Sequence, residues 1–264
     1  MKNMAFLALL AAAATTPALA ADGDGQGFYV QLRGGYQGIQ SPKGTFFDEA
    51  GTFGGSEVAD AVIPTGSDTV GVKFHAKGGA TIGADLGYDF GPVRAELGLT
   101  YGRNKLNGIT IRSINGAAPS GLTDADAQDF CDYLAGGEEG PTCTIKNGND
   151  VSSGGSFAKL RQIGAMASLW YDIPTGLPIE PYVGAGIGAV GYHVETADDG
   201  DGKVRFAWQI GGGVAYKLNS HIALTVDYRY RQVKGATLFA EDGAGLALGS
   251  LHTSLLSGGV RFTF

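Results

Sequence analysis

The sequence predicts an all-β fold, an eight-stranded antiparallel up-and-down transmembrane β-barrel with long extracellular loops, on three observations. Apolar and polar residues alternate with period two along eight separate stretches, which puts successive side chains on opposite faces of a strand. Glycine supplies 45 of the 264 residues, against about 7% in an average chain, with no collagen period and only 9 prolines. The connections between the stretches alternate between short and long, as they do when turns gather at one end of a barrel and loops at the other.

The first stretch, MKNMAFLALLAAAATTPALA, reads as a secretory signal. It carries one charge, Lys2, then an apolar run, and closes on the small-x-small pattern Ala18, Leu19, Ala20. Residues 1–20 are therefore set apart from the barrel domain, 21–264. After them no apolar run reaches the length of a spanning helix.

The first strand is GFYVQLRGGYQG, with Phe28, Val30, Leu32 and Tyr36 on one face and Tyr29, Gln31, Arg33 and Gln37 on the other. The second is read as one long strand, VKFHAKGGATIGADLGYDF, with Val72, Phe74, Ile82, Leu86 and Tyr88 opposite Lys73, His75, Thr81 and Asp85. In the third, Val93, Leu97, Leu99 and Tyr101 alternate with Arg94, Glu96 and Thr100. The fourth sets Ile163, Ala165, Ala167, Leu169 and Tyr171 against Gln162, Gly164, Ser168 and Trp170, with Lys159 and Arg161 fitting its apolar face poorly.

PYVGAGIGAVGYH forms the fifth, alternating Val183, Ala185, Ile187 and Ala189 with glycine. VRFAWQIGGGVAYKL is the sixth, with Phe206, Trp208, Ile210, Val214 and Tyr216 against Arg205, Gln209 and Lys217. HIALTVDYRYR, the seventh, opposes Leu224, Val226, Tyr228 and Tyr230 to Thr225, Asp227, Arg229 and Arg231. The eighth is LHTSLLSGGVRFTF, in which Val260, Phe262 and Phe264 oppose Ser257, Arg261 and Thr263.

A water-soluble sandwich also alternates, but it turns its apolar face inward. Here the face left for the interior carries Arg33, Lys73, Asp85, Arg94, Glu96, Asp227, Arg229 and Arg261, so the apolar face is expected to meet lipid. Backbone groups unpaired in hydrocarbon cost several kcal/mol each, which requires the eighth strand to pair with the first and close the sheet. A barrel this narrow is filled by its own side chains. Its buried charges must then pair, and Asp85, Glu96 and Asp227 are expected to face Arg33, Arg94, Arg229 or Arg261.

The longer connections are read at about 39–71, 104–156, 195–203 and 235–249. The second contains GLTDADAQDFCDYLAGG, where Thr123 is placed to cap a short helix starting at Asp124. The chain has two cysteines, Cys131 and Cys143, expected to form one disulfide that staples this loop. Acidic loop residues such as Asp48, Asp124, Asp126 and Asp132 are read as solubilising.

Other chemistries fit poorly. Nineteen Lys and Arg against 26 Asp and Glu, a net charge of −7 without basic clusters, argue against nucleic-acid binding. His75, His193, His221 and His252 are scattered at strand ends with neither metal-ligand spacing nor a nucleophile elbow, so no catalytic, metal or cofactor site is assigned. GAGIG and GGG lack the helix that a dinucleotide site needs.

GFYVQLRGGY, PYVGAGIG, FAWQIGGGVAYKL, DYRY and VRFTF together resemble the small outer-membrane beta-barrel proteins of the opacity, Omp25 surface-antigen and OmpA-transmembrane-domain type, over essentially the whole mature chain. The resemblance implies a Gram-negative outer membrane with both termini periplasmic, and outer-membrane lipid and lipopolysaccharide as surroundings. It also implies insertion by the barrel-assembly machinery through Phe264 as a C-terminal assembly signal. The function it implies is a monomeric structural, adhesive or antigenic surface protein of the porin-family class without catalytic activity, with host or cell-surface ligands met through loops 39–71 and 104–156. The second reading is a narrow, gated channel for small solutes or ions.

Overall fold

The computed structural model describes residues 26–48, 69–134, 141–153, 156, 158–195, 200–241 and 244–264. The signal segment 1–20 and most of the connection 39–71 lie outside the described residues. The elements are β1 (Gly27–Gln40), β2 (Lys43–Asp48), β3 (Thr69–Lys77), β4 (Gly79–Asp89), β5 (Val93–Ile114), α1 (Asp124–Leu134), β6 (Cys143–Lys146) and β7 (Asp150–Ser153). There follow β8 (Ala158–Asp172), β9 (Ile179–Glu195), β10 (Gly200–Lys217), β11 (Ile222–Val233), β12 (Ala236–Glu241), β13 (Ala244–Leu248) and β14 (Leu251–Thr263).

The result is an all-β, barrel-like fold with long connections at one end. Antiparallel ladders join β1 to β4, β4 to β5, β5 to β8 and β8 to β9. They continue from β9 to β10, β10 to β11 and β11 to β14, and β14 returns to β1 along twelve residue pairs from Tyr29↔Thr263 to Gln40↔His252. At the long-connection end a second series runs β12–β13–β2–β3–β5, and the β6–β7 hairpin lies on β5.

Fourteen strands stand among the described residues, where the sequence predicted eight. The difference lies in the stretches read as loops. β5 does not stop near Arg103 but runs on to Ile114, and β2, β6, β7, β12 and β13 also fall within connections. The expected single strand 72–90 divides at Gly78, where a Cβ would stand 1.5 Å from the Tyr36 hydroxyl. Below Gly78, Ile82 and Leu86 are exposed; above it, Val72 and Phe74, of the same parity, are buried. The parity holds while the surroundings invert, which period two alone does not register.

The short turns are built by local polar groups. Between β4 and β5 the Asp89 carboxylate accepts the Gly91 N–H at 2.8 Å while Gly91 holds φ +105°, a conformation that favours glycine. Between β10 and β11 the Asn219 side-chain oxygen accepts the N–H groups of His221 and Ile222, both at 2.9 Å.

Burial within the closed circuit is the reverse of a soluble sheet. Leu97, Ile163, Leu169, Ile187 and Val226 are each more than half exposed, whereas Arg94, Asp227, Arg229 and Arg231 are each 2% exposed or less. Phe28, Tyr88, Phe90, Tyr171, Tyr216, Phe262 and Phe264 ring the short-turn end of the apolar surface, and Tyr36, Tyr101 and Tyr228 mark its other margin. An apolar band between two aromatic girdles is the surface a bilayer requires.

Leu97→Arg puts a guanidinium near the middle of that band and is expected to lower stability in lipid vesicles by about 2–4 kcal/mol. Urea unfolding monitored by tryptophan fluorescence checks this; an unchanged midpoint would mean that the β5 apolar face does not meet hydrocarbon.

Candidate functional site: the lumen and its cap

Every residue assigned to the luminal network faces inward on the closed circuit: Arg33 from β1, Asp85 from β4, Arg94 and Glu96 from β5, Asp227 and Arg229 from β11, and Arg261 from β14. Arg33 grips Asp85 with two hydrogen bonds, Nε to Oδ2 at 2.7 Å and Nη2 to Oδ1 at 2.9 Å. That fork-to-carboxylate geometry is the strong form of an ion pair.

Arg229 is the hub. It donates to Asp227 at 2.8 Å and to Glu96 at 3.1 Å, and its Nη2 lies 3.8 Å from Asp85. Its guanidinium also sits 4.7 Å from the centre of the Trp170 ring. Glu96 accepts a further bond from the Tyr29 hydroxyl at 3.1 Å. Three carboxylates therefore lean on one cation in a buried interior, where charge survives only with such partners.

The three carboxylates are met by Arg33 and Arg229, and the other two arginines have other partners. Arg94 does not face Asp85, Glu96 or Asp227 for its ion pair but holds Asp172 on β8, at 2.5 and 2.9 Å. Arg261 bonds neutral Gln31 at 3.1 Å and stacks between Tyr29 and Tyr182, 5.1 and 5.7 Å from their ring centres. No carboxylate among the described residues lies within 4.0 Å of it. Aromatic faces supply part of the compensation that a carboxylate would give.

Sequence reasoning missed Asp172 and left Arg231 out of the network. Asp172 follows Trp170 at the inward parity of β8, so alternation carried one step past Trp170, to the end of the strand, would have found it. Arg231 is held by Gln209 at 3.0 Å and Thr100 at 2.9 Å, neutral partners that no charge-matching search finds. Lys73, expected inside, stands on β3 beyond the circuit, opposite in parity to buried Val72 and Phe74. It is excluded from the lumen because at that level the inward face is apolar.

That apolar level forms a cap. Ile39, Leu106, Leu160, Val190, Tyr192, Val233 and Leu251, at the upper ends of the circuit strands, belong to one buried cluster. The same cluster continues into Val70, Val72, Phe74, Ile109 and Ile111 and on to Leu238, Leu246 and Leu248 of the second series. The polar lumen thus ends beneath a hydrophobic layer that packs like the core of a soluble domain.

The second long connection builds on the cap. Thr123 and Asp126 exchange bonds at the start of α1, the Thr123 N–H to the Asp126 carboxylate at 2.6 Å and the Asp126 N–H to the Thr123 hydroxyl at 3.3 Å. This is a capping box with aspartate in the reciprocal position. Cys131 on α1 and Cys143 at the start of β6 form a disulfide, and both are buried in the apolar cluster. Gln128 accepts the Cys143 N–H at 2.9 Å and Asp124 the Ile145 N–H at 2.7 Å, so three fasteners hold the helix to the hairpin.

The four histidines stand apart. His75 meets Thr110 on β5, His193 lies beside Glu195, His221 bonds Ser220 in a short turn, and His252 bonds Tyr230. Among the described residues no group of three His, Cys, Asp or Glu side chains gathers to hold a metal ion.

Comparison with known proteins places this architecture. A family model described as an outer membrane protein beta-barrel domain matches residues 5–264. The chain belongs to that family. The barrel protein is 30% identical over 189 residues, 64% of its own chain, to an uncharacterized protein of Brucella abortus, of whose length it spans 57%. It is also 30% identical over 141 residues to the 25 kDa outer-membrane immunogenic protein of Brucella canis, across 52% of its own chain and 62% of that one. Among solved structures it is similar to the outer membrane protein OprG of Pseudomonas aeruginosa, with a TM-score of 0.47 and 13% identity over 90% of this chain and 97% of the other. The barrel protein is an outer-membrane protein.

Arg229→Ala leaves Asp85, Glu96 and Asp227 without their shared cation and is expected to lower stability by about 3–5 kcal/mol. Heat-dependent electrophoretic mobility or urea unfolding in vesicles measures the loss. Cys131→Ser with Cys143→Ser is expected to make residues between 114 and 158 protease-sensitive while the circuit stays intact, since a loop of this length yields about 3 kcal/mol of closure entropy. Mass spectrometry of the digest distinguishes the two regions.

Proposed function

We propose that the eight strands β1, β4, β5, β8, β9, β10, β11 and β14 form the membrane-spanning wall, with both chain ends on the periplasmic side, and that the protein is a non-conducting, non-catalytic surface protein whose capped upper storey faces outward. One observation supports this reading above the rest: the luminal charges lie beneath a contiguous apolar layer, and a path for ions through the lumen would have to cross it. The wall is tied from within, because Arg229 on β11 reaches Glu96 on β5 and Asp85 on β4 across the interior, while Arg33–Asp85 joins β1 to β4 and Arg94–Asp172 joins β5 to β8.

The upper storey supplies the surface at which structural, adhesive or antigenic contacts would be made, with α1 and the β6–β7 hairpin as its disulfide-fastened part. The immunogenic protein of Brucella canis supports an antigenic role by likeness. Phe264 donates its N–H to the Phe28 carbonyl at 2.9 Å and leaves its ring exposed, the disposition an assembly signal on the last strand would need. Lipid and lipopolysaccharide surround such a wall, and the barrel-assembly machinery is the expected route of insertion.

The alternative of a narrow gated channel rests on the polar lumen. Planar-bilayer recording separates the two. Purified, refolded protein is expected to give no discrete conductance steps; steps that change when Arg33, Glu96 or Arg229 is neutralised would overturn the structural reading.

A further inference from the structure

On β5 the outward side chains change character at one step. Val93, Leu97, Leu99 and Tyr101 are apolar and exposed; the next two outward positions are Arg103 and Lys105. The neighbouring β8 changes at the same level, since Tyr101 pairs with Ile163, Arg103 with Arg161 and Lys105 with Lys159. From the other side β3 adds Lys77, paired directly with Lys105.

Five cations therefore occupy two adjacent rows, Lys77–Lys105–Lys159 and Arg103–Arg161. Cross-strand neighbours on one face have Cβ atoms about 5 Å apart, and like charges so placed destabilise the sheet. Glu195 on β9 meets Arg161 at 2.9 Å and is the one carboxylate among the described residues paired with any of the five.

The rows are not part of a general charged rim. On the opposite wall the same margin carries neutral groups: Gly38 and Gln40 on β1, Ser254 and His252 on β14, and Gln232 on β11. There Ser254 is bonded to Tyr228 and His252 to Tyr230, so that margin satisfies itself internally. The β3–β5–β8 margin sets five cations against the single carboxylate of Glu195, which pairs with Arg161 and stands across from Lys159, directly above an apolar strip.

We infer that this patch, Lys77, Arg103, Lys105, Lys159 and Arg161, binds the phosphate groups of an outer-leaflet glycolipid whose acyl chains lie along Leu97, Leu99, Ile163 and Leu169. Charge complementarity selects an anion, and the apolar strip directly below selects an anion carried on acyl chains. The inference rests on the spanning wall proposed above. It goes beyond general contact with outer-membrane lipid by assigning one wall of the barrel and naming phosphate as the recognised group. Arginine suits the role, since its planar fork takes two phosphate oxygens at once.

The test uses the full barrel in detergent micelles with bisphosphorylated lipid A, its dephosphorylated form and inorganic phosphate as probes, and the variant R103Q/K105Q/K159Q. Wild-type protein is expected to retain bisphosphorylated lipid A in native mass spectrometry and to prefer it over the dephosphorylated form. Inorganic phosphate at millimolar concentration should fail to displace it. The triple variant is expected to bind at least about tenfold more weakly, since each basic side chain near the surface adds to the attraction for an anionic headgroup. Lys146→Gln, on the exposed hairpin strand β6, should bind as wild type.

A lipid-free thermal melt supplies a second readout. Relief of like-charge crowding should leave the triple variant at least as stable as wild type, while added lipid A should raise the wild-type midpoint more. Equal lipid A binding by wild type and triple variant, equal retention of the dephosphorylated lipid, or displacement by inorganic phosphate would each overturn the assignment. Conductance plays no part in these measurements, so failure here is distinguishable from failure of the non-conducting reading.

Discussion

A peptide group in hydrocarbon has no water to bond, and the whole molecule is organised around that constraint. A sheet answers it only by having no edge, so the first and last strands must meet. The twelve-pair ladder between β1 and β14 is what removes the edge, and the alternation of the sequence follows from it. Once the circuit is closed, one side of each circuit strand is apolar and exposed and the other lines the interior. Burial is thereby inverted relative to a soluble sheet: leucines sit outside and arginines inside.

The narrow lumen imposes a second constraint, on volume. Tyr29 lies across from Gly87, and a Cβ on that glycine would stand 2.3 Å from the tyrosine ring. Trp170 lies across from Gly184, where a Cβ would be 2.4 Å from the indole. Arg33 lies across from Gly83 in the same manner, with its guanidinium carbon 2.9 Å from the Cβ position. Large side chains fit inside because the residue facing each is glycine. Gly87, Gly184 and Gly83 are therefore the complements of Tyr29, Trp170 and Arg33.

These two constraints explain what was legible in the sequence and what was not. Period two is a property of one strand in one environment, so each wall segment from Phe28 onward showed its inward and outward residues, including Asp227 and Arg229. Beyond the membrane margin the environment reverses while the alternation continues, which is why Val72 and Ile82 looked like parts of one face and Lys73 like a luminal residue. The extra strands were hidden for a related reason. β2 and β13 are six and five residues long and pair with each other from distant parts of the chain, so no local pattern announces that ladder. Pairing choices were equally non-local: Arg94 and Asp172 are 78 residues apart and meet because β5 and β8 are neighbours across the long connection.

The same reversal settles why the lumen is divided. In the lower half the inward face carries the buried charges, and the Arg229 hub gathers three carboxylates there. At the upper level the exterior is water, the outward face is free to be polar, and the inward face becomes the cheapest place to bury apolar side chains, giving the Ile39 to Leu251 layer. One sheet therefore holds two cores of opposite character, stacked where the outer surface passes from hydrocarbon to water. The wide second series of strands, the stapled helix and the basic rows on β3, β5 and β8 all belong to the upper regime, where apolar burial stabilises and charge is free to face outward.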